Sequence, residues 1–299
     1  MSIDDVSAIS RRDLLAGAAA GLVAGAALQP SAGHAASPIT PAGAGAIDAV
    51  QTHRKLKYRT DAGLVFWWLR GVKYGQVGTT LTPLFTNHTG TIQRIEPTDD
   101  GGFDLSYLEV TIATVVDNDT PLKAWKNPYT GEVLPVKVRP MGPTTVHYRA
   151  DNSRVIPETI GGSPIEATSE VTGPYVVGDD VFISEVIQAR VYRSGPENPF
   201  VVNDMSHYHG SLAELSSPAT TMAAATVSFG EITGWQKWMN MGDRPGNLTS
   251  RTFGKKAASY SQMPEAWLKG VALAEPELAE ELARDPLAAL NRQQATFDR

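Results

Sequence analysis

The sequence predicts a mainly β fold, an antiparallel β-barrel, closed or nearly closed, that ends in short helices, with a β-sandwich as the alternative. Three observations carry this. Strand-length segments that alternate or run apolar recur at residues 64–74, 91–96, 103–116, 134–139, 145–149, 181–192 and 220–229. Turn chemistry separates them: Asp99-Asp100-Gly101-Gly102 supplies positive-φ residues for a hairpin, and Asn127-Pro128-Tyr129-Thr130-Gly131-Glu132 has an Asn-Pro entry and a Gly exit. Helical signals are confined to the end, where residues 264–268, 276–282 and 286–292 each open on a proline. A sheet this large leaves two long edges, and closure removes them.

Taken in chain order, residues 1–35 read as an export signal. Ser10-Arg11-Arg12-Asp13-Leu14-Leu15 carries the twin arginine, and the Gly/Ala-rich run that follows ends at Leu28, short of the roughly 20 apolar residues that span a bilayer. Gly33 and Ala35 are the small residues of a cleavage site after Ala35, with Ala36 as the alternative last residue removed. Residues 36–47, rich in Pro, Ala and Gly, form a flexible leader. Residues 48–299 form a single β-barrel domain whose helices begin at about 264. The expected location is therefore periplasmic or secreted, reached in the folded state.

Composition removes several function classes. With 42% hydrophobic and 19% charged residues the chain is an ordinary globular protein rather than a disordered or fibrous one. A net charge of −6 offers no general attraction to nucleic acid or anionic lipid. The absence of cysteine removes disulfide frameworks, thiolate nucleophiles and iron–sulfur sites. The chain carries no nucleophile elbow, no dinucleotide-binding glycine motif, no P-loop and no HExxH motif. What chemistry it has falls to His, carboxylate, Tyr, Arg, Lys or Ser.

Four constellations are candidates. In Asp204-Met205-Ser206-His207-Tyr208-His209-Gly210, an extended backbone puts His207 and His209 on one face. Either suits acid/base work. Alternatively the pair is half of a divalent-metal site completed by His147, His88, Glu185 or Asp204. Against both stands a loop bearing two ordinary histidines. In residues 181–191, Glu185 shares a face with Val181, Ile183, Ile187, Ala189 and Val191. A carboxylate there is either a poised acid or base or a buried ion pair, with Arg149 or Arg70 as partner. In residues 145–149, His147 and Arg149 share a side, and Arg149 suits a substrate carboxylate, although a solvated outer face is the commoner role. Trp68 and Trp235 are candidate walls for a flat apolar ligand; Trp67 and Trp68 face opposite sides of one strand, so only one is interior. Trp235 and Trp238, beside Met239 and Met241, suit packing or a lid.

The segments Trp125–Glu132, Gly234–Gly242 and Gly254-Lys255-Lys256, with Pro276-Glu277-Leu278, resemble the exported bacterial proteins of the domain of unknown function 1838 family over roughly residues 48–290. The resemblance implies a lipocalin-like β-barrel and brings no reaction or catalytic residues with it. The leading expectation is an exported enzyme doing acid/base chemistry of the lyase or isomerase type (elimination, isomerisation or decarboxylation) on a small hydrophobic or aromatic metabolite. In it His207 or His209 is the base, Glu185 or Tyr208 the acid, and Arg149, His147, Trp68 and Trp235 bind substrate, with no cofactor. The alternatives are a non-catalytic lipocalin-like carrier of an apolar ligand, and a metalloenzyme at His207 and His209. The three terminal helices either cap the barrel or mediate dimerisation, since their apolar faces would look alike in both roles, so a homo-oligomer is among the expectations.

Overall fold

The computed structural model describes residues 47–136, 138, 140–160, 163–192 and 199–297. The expected export signal, almost all of the leader, and Lys137 and Arg139 of the expected strand 134–139 lie outside the described residues.

The chain forms α1 (Ala49–Lys57), β1 (Gly63–Val77), β2 (Thr80–Pro97), β3 (Phe103–Thr114), a hairpin of β4 (Ala124–Lys126) and β5 (Val133–Pro135), then β6 (Met141–Tyr148), β7 (Thr159–Ile160), β8 (Ser163–Val177), β9 (Asp180–Val191) and β10 (Phe200–Ser211). The one-turn helix α2 (Leu212–Ser216) leads to β11 (Thr226–Thr233) and β12 (Asn247–Ala257), and α3 (Glu265–Ala274), α4 (Pro276–Arg284) and α5 (Pro286–Phe297) follow. All pairings are antiparallel in the order β6-β3-β2-β1-β12-β11-β10-β9-β8, with the two-residue β7 appended to β8. The sheet curls into a half-barrel rather than a closed one. Bulges at Lys73/Tyr74, Tyr107/Glu109 and Thr172/Tyr175 add local bend and twist.

Strand alternation assigns the faces. On the concave side Val65, Trp67 and Leu69 of β1 meet Phe103, Leu105 and Tyr107 of β3, Val181 and Ile183 of β9, Tyr208 of β10 and Val227 and Phe229 of β11 in one apolar cluster. Strands from both flanks share it because the sheet is curled. Glycine permits part of that curl: a Cβ at Gly71 would sit 2.0 Å from the Arg251 carbonyl oxygen, and one at Gly254 2.0 Å from the Trp68 carbonyl oxygen.

Helix α1 spans the mouth between the two flanks. Asp48 caps it by accepting from the Gln51 amide at 3.0 Å. Toward β6, Arg54 donates to the carbonyls of Gly101 and Ala150 and to Asn152 Oδ1; toward β9 and α2, Lys57 reaches Glu185 and Lys55 the carbonyls of Leu215 and Ser217. The polar sequence of α1 gave no helical stripe, and its burial rests on these contacts.

The convex face of β1–β3 is covered by α3–α5. Trp267, fully buried, donates its indole N–H to the Val110 carbonyl at 2.9 Å over Gly90, where a Cβ would lie 2.3 Å from the ring. Both faces of β3 are thus buried, which is why its sequence runs apolar rather than alternating. A third cluster joins Leu84, Phe85 and Leu248 to Trp125 of the β4–β5 hairpin, Met239 and Met241, with Trp235 and Trp238 packed against it. Of the expected strand 134–139, only Leu134 and Pro135 lie in a strand, the β5 arm of that hairpin, outside the main sheet.

Candidate functional site

Along the inner face of β1 the apolar residues Val65, Trp67 and Leu69 give way, past Gly71, to Lys73. Register carries that level across the sheet: Lys73 lies opposite Ser250, Ser250 opposite Glu231, and Glu231 opposite Asp204. Glu109 of β3, opposite Thr91 of β2, joins from the other flank. Lys73, Thr91, Glu109, Asp204, Glu231 and Ser250 are all buried.

The groups are unevenly satisfied. The Lys73 ammonium contacts Glu231 Oε2, which also accepts from Ser250 Oγ at 3.3 Å. Glu109 Oε1 accepts from Thr111 Oγ1 at 3.3 Å, while Glu109 Oε2, both carboxyl oxygens of Asp204, Thr91 Oγ1 and Thr233 Oγ1 are buried without a partner. Burial, reinforced by the charge of Glu231 and only partly offset by Thr111 and Lys73, pushes the Glu109 carboxyl up to about 8. Burial and the nearby Glu231 likewise hold Asp204 well above the usual carboxylate range, with Lys73 opposing and Glu109 and Glu185 adding to the rise. The interior thus contains two acids that keep their protons to unusually high pH, beside a carboxylate that has its own cation.

Toward α1 lies a second polar group, built on an ion pair. Lys57 Nζ donates to Glu185 Oε2 at 2.6 Å and sits 5.6 Å from the Tyr208 ring centroid and 5.1 Å from that of Tyr58. Burial raises the Glu185 pKa, but the Lys57 charge, helped by His53, outweighs it and holds the carboxyl below its ordinary value. Burial lowers Lys57, and Glu185 with the ring hydroxyls outweighs that in turn. Burial next to Lys57 lowers His53 to about 4, so this imidazole is neutral. The Trp67 indole N–H donates to the Lys57 carbonyl at 2.9 Å, and Tyr208 packs edge-on against Trp67 with ring centroids 5.6 Å apart. Arg154, buried near Tyr107 and Glu185, leaves its Nε unpartnered.

The sequence-derived candidates separate into two places. Glu185 and Tyr208 are interior, and the partner of Glu185 is Lys57 rather than Arg149 or Arg70. His207 and His209 share a face of β10 as expected, and that face is the convex one: His207 is exposed, and His209 meets Asp180 Oδ1 at 2.7 Å and stacks on Phe182. Tyr208, Asp204 and Glu185 face the other way, so the histidines do not meet them. His147 is outward on β6, held between Asp104 at 2.9 Å and Asp100 at 3.1 Å, which together raise its pKa. Arg149 is exposed at the end of β6 and donates to Ser153 Oγ at 3.3 Å. Trp67, not Trp68, is the interior member of its pair; Trp68 packs against Phe253 on the convex side. Trp235 donates to the Arg244 carbonyl at 3.0 Å and packs on Tyr129 beside the β4–β5 hairpin. His88 is buried on the convex side against Asp119 at 3.0 Å. Among the described residues no three His, Asp or Glu side chains come together as a metal-holding group.

Lys73, Glu109 and Glu231 were missed in the sequence, though a signal for each existed. Lys73 follows Val65, Trp67 and Leu69 at even spacing, Glu109 follows Phe103, Leu105 and Tyr107, and Glu231 follows Val227 and Phe229. Each is the criterion that singled out Glu185, a charge in the register of an apolar strand face.

A family model described as "Protein of unknown function (DUF1838)" matches residues 62–287, a span that holds every strand of the sheet together with α3 and α4. The chain matches no curated protein.

Proposed function

The chain belongs to the DUF1838 family of proteins of unknown function, and from that premise we propose that it is an exported enzyme doing acid/base chemistry on a small molecule inside the half-barrel. The observation that carries this is the pair of buried interior acids, Glu109 and Asp204, whose free oxygens have no partner among the described residues. Burying unsatisfied carboxyls costs stability, and groups kept at such cost with shifted pKa values are candidates for function. Glu109, titrating near 8, holds its proton at neutral pH and suits a general acid. Glu231, beside Lys73 and Ser250, is placed to feel the charge that develops on its neighbours. The reaction type is a proton transfer of the lyase or isomerase kind. Glu185 and Tyr208 belong to the supporting wall, because Lys57 already occupies the carboxylate.

The test is turnover in a small-molecule extract of the source cells, followed by mass spectrometry. The wild-type chain and a His207→Ala/His209→Ala variant are expected to deplete the same compound, and Glu109→Gln is expected to leave it. Equal depletion by Glu109→Gln, or loss only in the histidine variant, sinks the proposal. A compound that copurifies unchanged with the wild type favours the carrier reading, which the aromatic interior of Trp67, Tyr58, Phe103 and Tyr208 supports. For export, Arg11→Lys with Arg12→Lys is expected to leave uncleaved protein in the cytoplasm; unchanged export and cleavage would remove the twin-arginine reading.

A further inference from the structure

We propose that the molecule taken up by this interior is an organic cation, a primary amine or a guanidinium on an apolar body, with its charged head among Glu109, Asp204 and Thr233 and its body against Phe229 and Ile187. The inference rests on the proposed interior site and names its substrate class.

The free polar atoms decide the charge. At the level of Asp204 they are Asp204 Oδ1 and Oδ2, Glu109 Oε2, Asn87 Oδ1, Thr91 Oγ1 and Thr233 Oγ1. These are carboxyl and amide oxygens and two hydroxyls; none is a dedicated donor. The uncharged members argue independently of the acids. Thr233 is 1% exposed and continues the inner face of β11 two residues beyond Glu231, and Thr91 is 0% exposed opposite Glu109. The ammonium at this level among the described residues, Lys73, is already held by Glu231. Once a carboxyl has given up its proton, a ligand that donates hydrogen bonds satisfies this set, whereas an anion would sit beside the charge of Glu231.

Shape argues against a bare metal ion. The acids are close enough to sense one another's charge, yet no three acidic or histidine side chains among the described residues come together as a metal-holding group. The spread suits a head group with several N–H bonds. The apolar part has its surface in place, since Phe229 is the inward neighbour of Glu231 and Ile187 lies opposite Asp204. The other charged groups near these acids are Glu185 with Lys57 on the β9 and α1 side, and Arg154 beyond Tyr107. An arriving cation takes the place of a carboxyl proton, so one proton leaves to solvent for each cation bound.

Calorimetric titration of the full chain near pH 7, in two buffers of different ionisation heat, tests this. The probes are butylamine, cyclohexylamine and 2-phenylethylamine, each set against the alcohol and the carboxylate of the same body. At least one amine is expected to bind tenfold or more tightly than its alcohol, with about one proton released and the carboxylate weakest. Asp204→Asn and Glu109→Gln, each shown to be folded by circular dichroism, are expected to remove the amine's advantage over its alcohol; an advantage that survives both substitutions overturns the inference. An alcohol or carboxylate that binds as well as its amine overturns the cation inference while leaving the interior site standing. Binding of none of the probes by the wild type overturns the interior site and the inference together.

Discussion

At the scale of single residues, the interior acids and the interior ion pair are predicted to answer pH in opposite ways. Glu109 has a folded pKa of about 8 against an ordinary 4.5, so the folded state keeps a proton that the unfolded state gives up between those values, and stability falls as pH rises through that window. Glu109→Gln removes the titration at nearly constant volume. It is expected to match the wild type below pH 4 and to exceed it above pH 8 by about 3–5 kcal/mol in thermal unfolding; a variant equal to or weaker than the wild type at pH 8 contradicts the burial argument. Glu185 is the reverse case. Its folded pKa is lowered, so its pair with Lys57 contributes above 4.5 and is lost as pH falls through the lower folded value. Lys57→Met strands that carboxylate and is expected to cost about 3–5 kcal/mol at neutral pH, whereas Lys57→Met with Glu185→Leu costs less than Lys57→Met alone; urea unfolding of the three proteins decides it. Glu185 was legible because five apolar neighbours in β9 mark its face. Its partner was not, since Lys57 is close to it only in the folded chain.

At the scale of elements, burial explains both what could be read and what could not. β1 was legible from an apolar run of strand length, β9 because its alternation is clean, and α3–α5 because each carries a proline at or beside its first turn. β8 was missed because it is a half-exposed strand near the sheet edge, diluted by Ser, Thr and Glu and broken by Gly173-Pro174, with little apolar stripe to read. β12 was missed for a related reason: Asn247, Arg251 and Lys255 on its convex face dilute a short inner row of Leu248, Ser250 and Thr252. No local pattern predicts the docking of α3, which depends on a cavity above Gly90 and on close approach at Gly270, where a Cβ would lie 2.7 Å from Ile112 Cγ2. Gly90→Ala is accordingly expected to cost about 1–3 kcal/mol by forcing Trp267 out of its seat. Quenching and red-shift of tryptophan emission below the global unfolding midpoint would report the displaced helix, and an unshifted spectrum with unchanged stability would show that the slot is looser than the contact implies.

At the scale of the whole molecule, the sheet class was legible from strand count and turns, whereas its open form was not, because closure depends on whether β6 and β8 meet. In the structure α1 ties those flanks through Arg54 on one side and Lys57 on the other. The candidate site was half legible for a similar reason. Alternation says which residues share a face but not which face is concave, so His207 and His209 could not be told from Tyr208 and Asp204 without the curl. The strand order also orders events in time. Along the sheet, neighbours are joined by hairpins or modest connections, except that β3 and β6 are joined through the β4–β5 hairpin and that the longest closure is at the centre, where β1 pairs with β12 and Phe66 lies opposite Ala257. Closing so long a stretch of chain is entropically slow compared with zipping a hairpin. Pulse-labelled hydrogen exchange during refolding is expected to find the amides of β2–β3 and β9–β10 protected first and those of the β1–β12 seam last; a seam protected early would mean that collapse, not topology, sets the rate. On the ribosome, β1 emerges first among the strands and waits with one edge unpaired until residues 247–257 have been made.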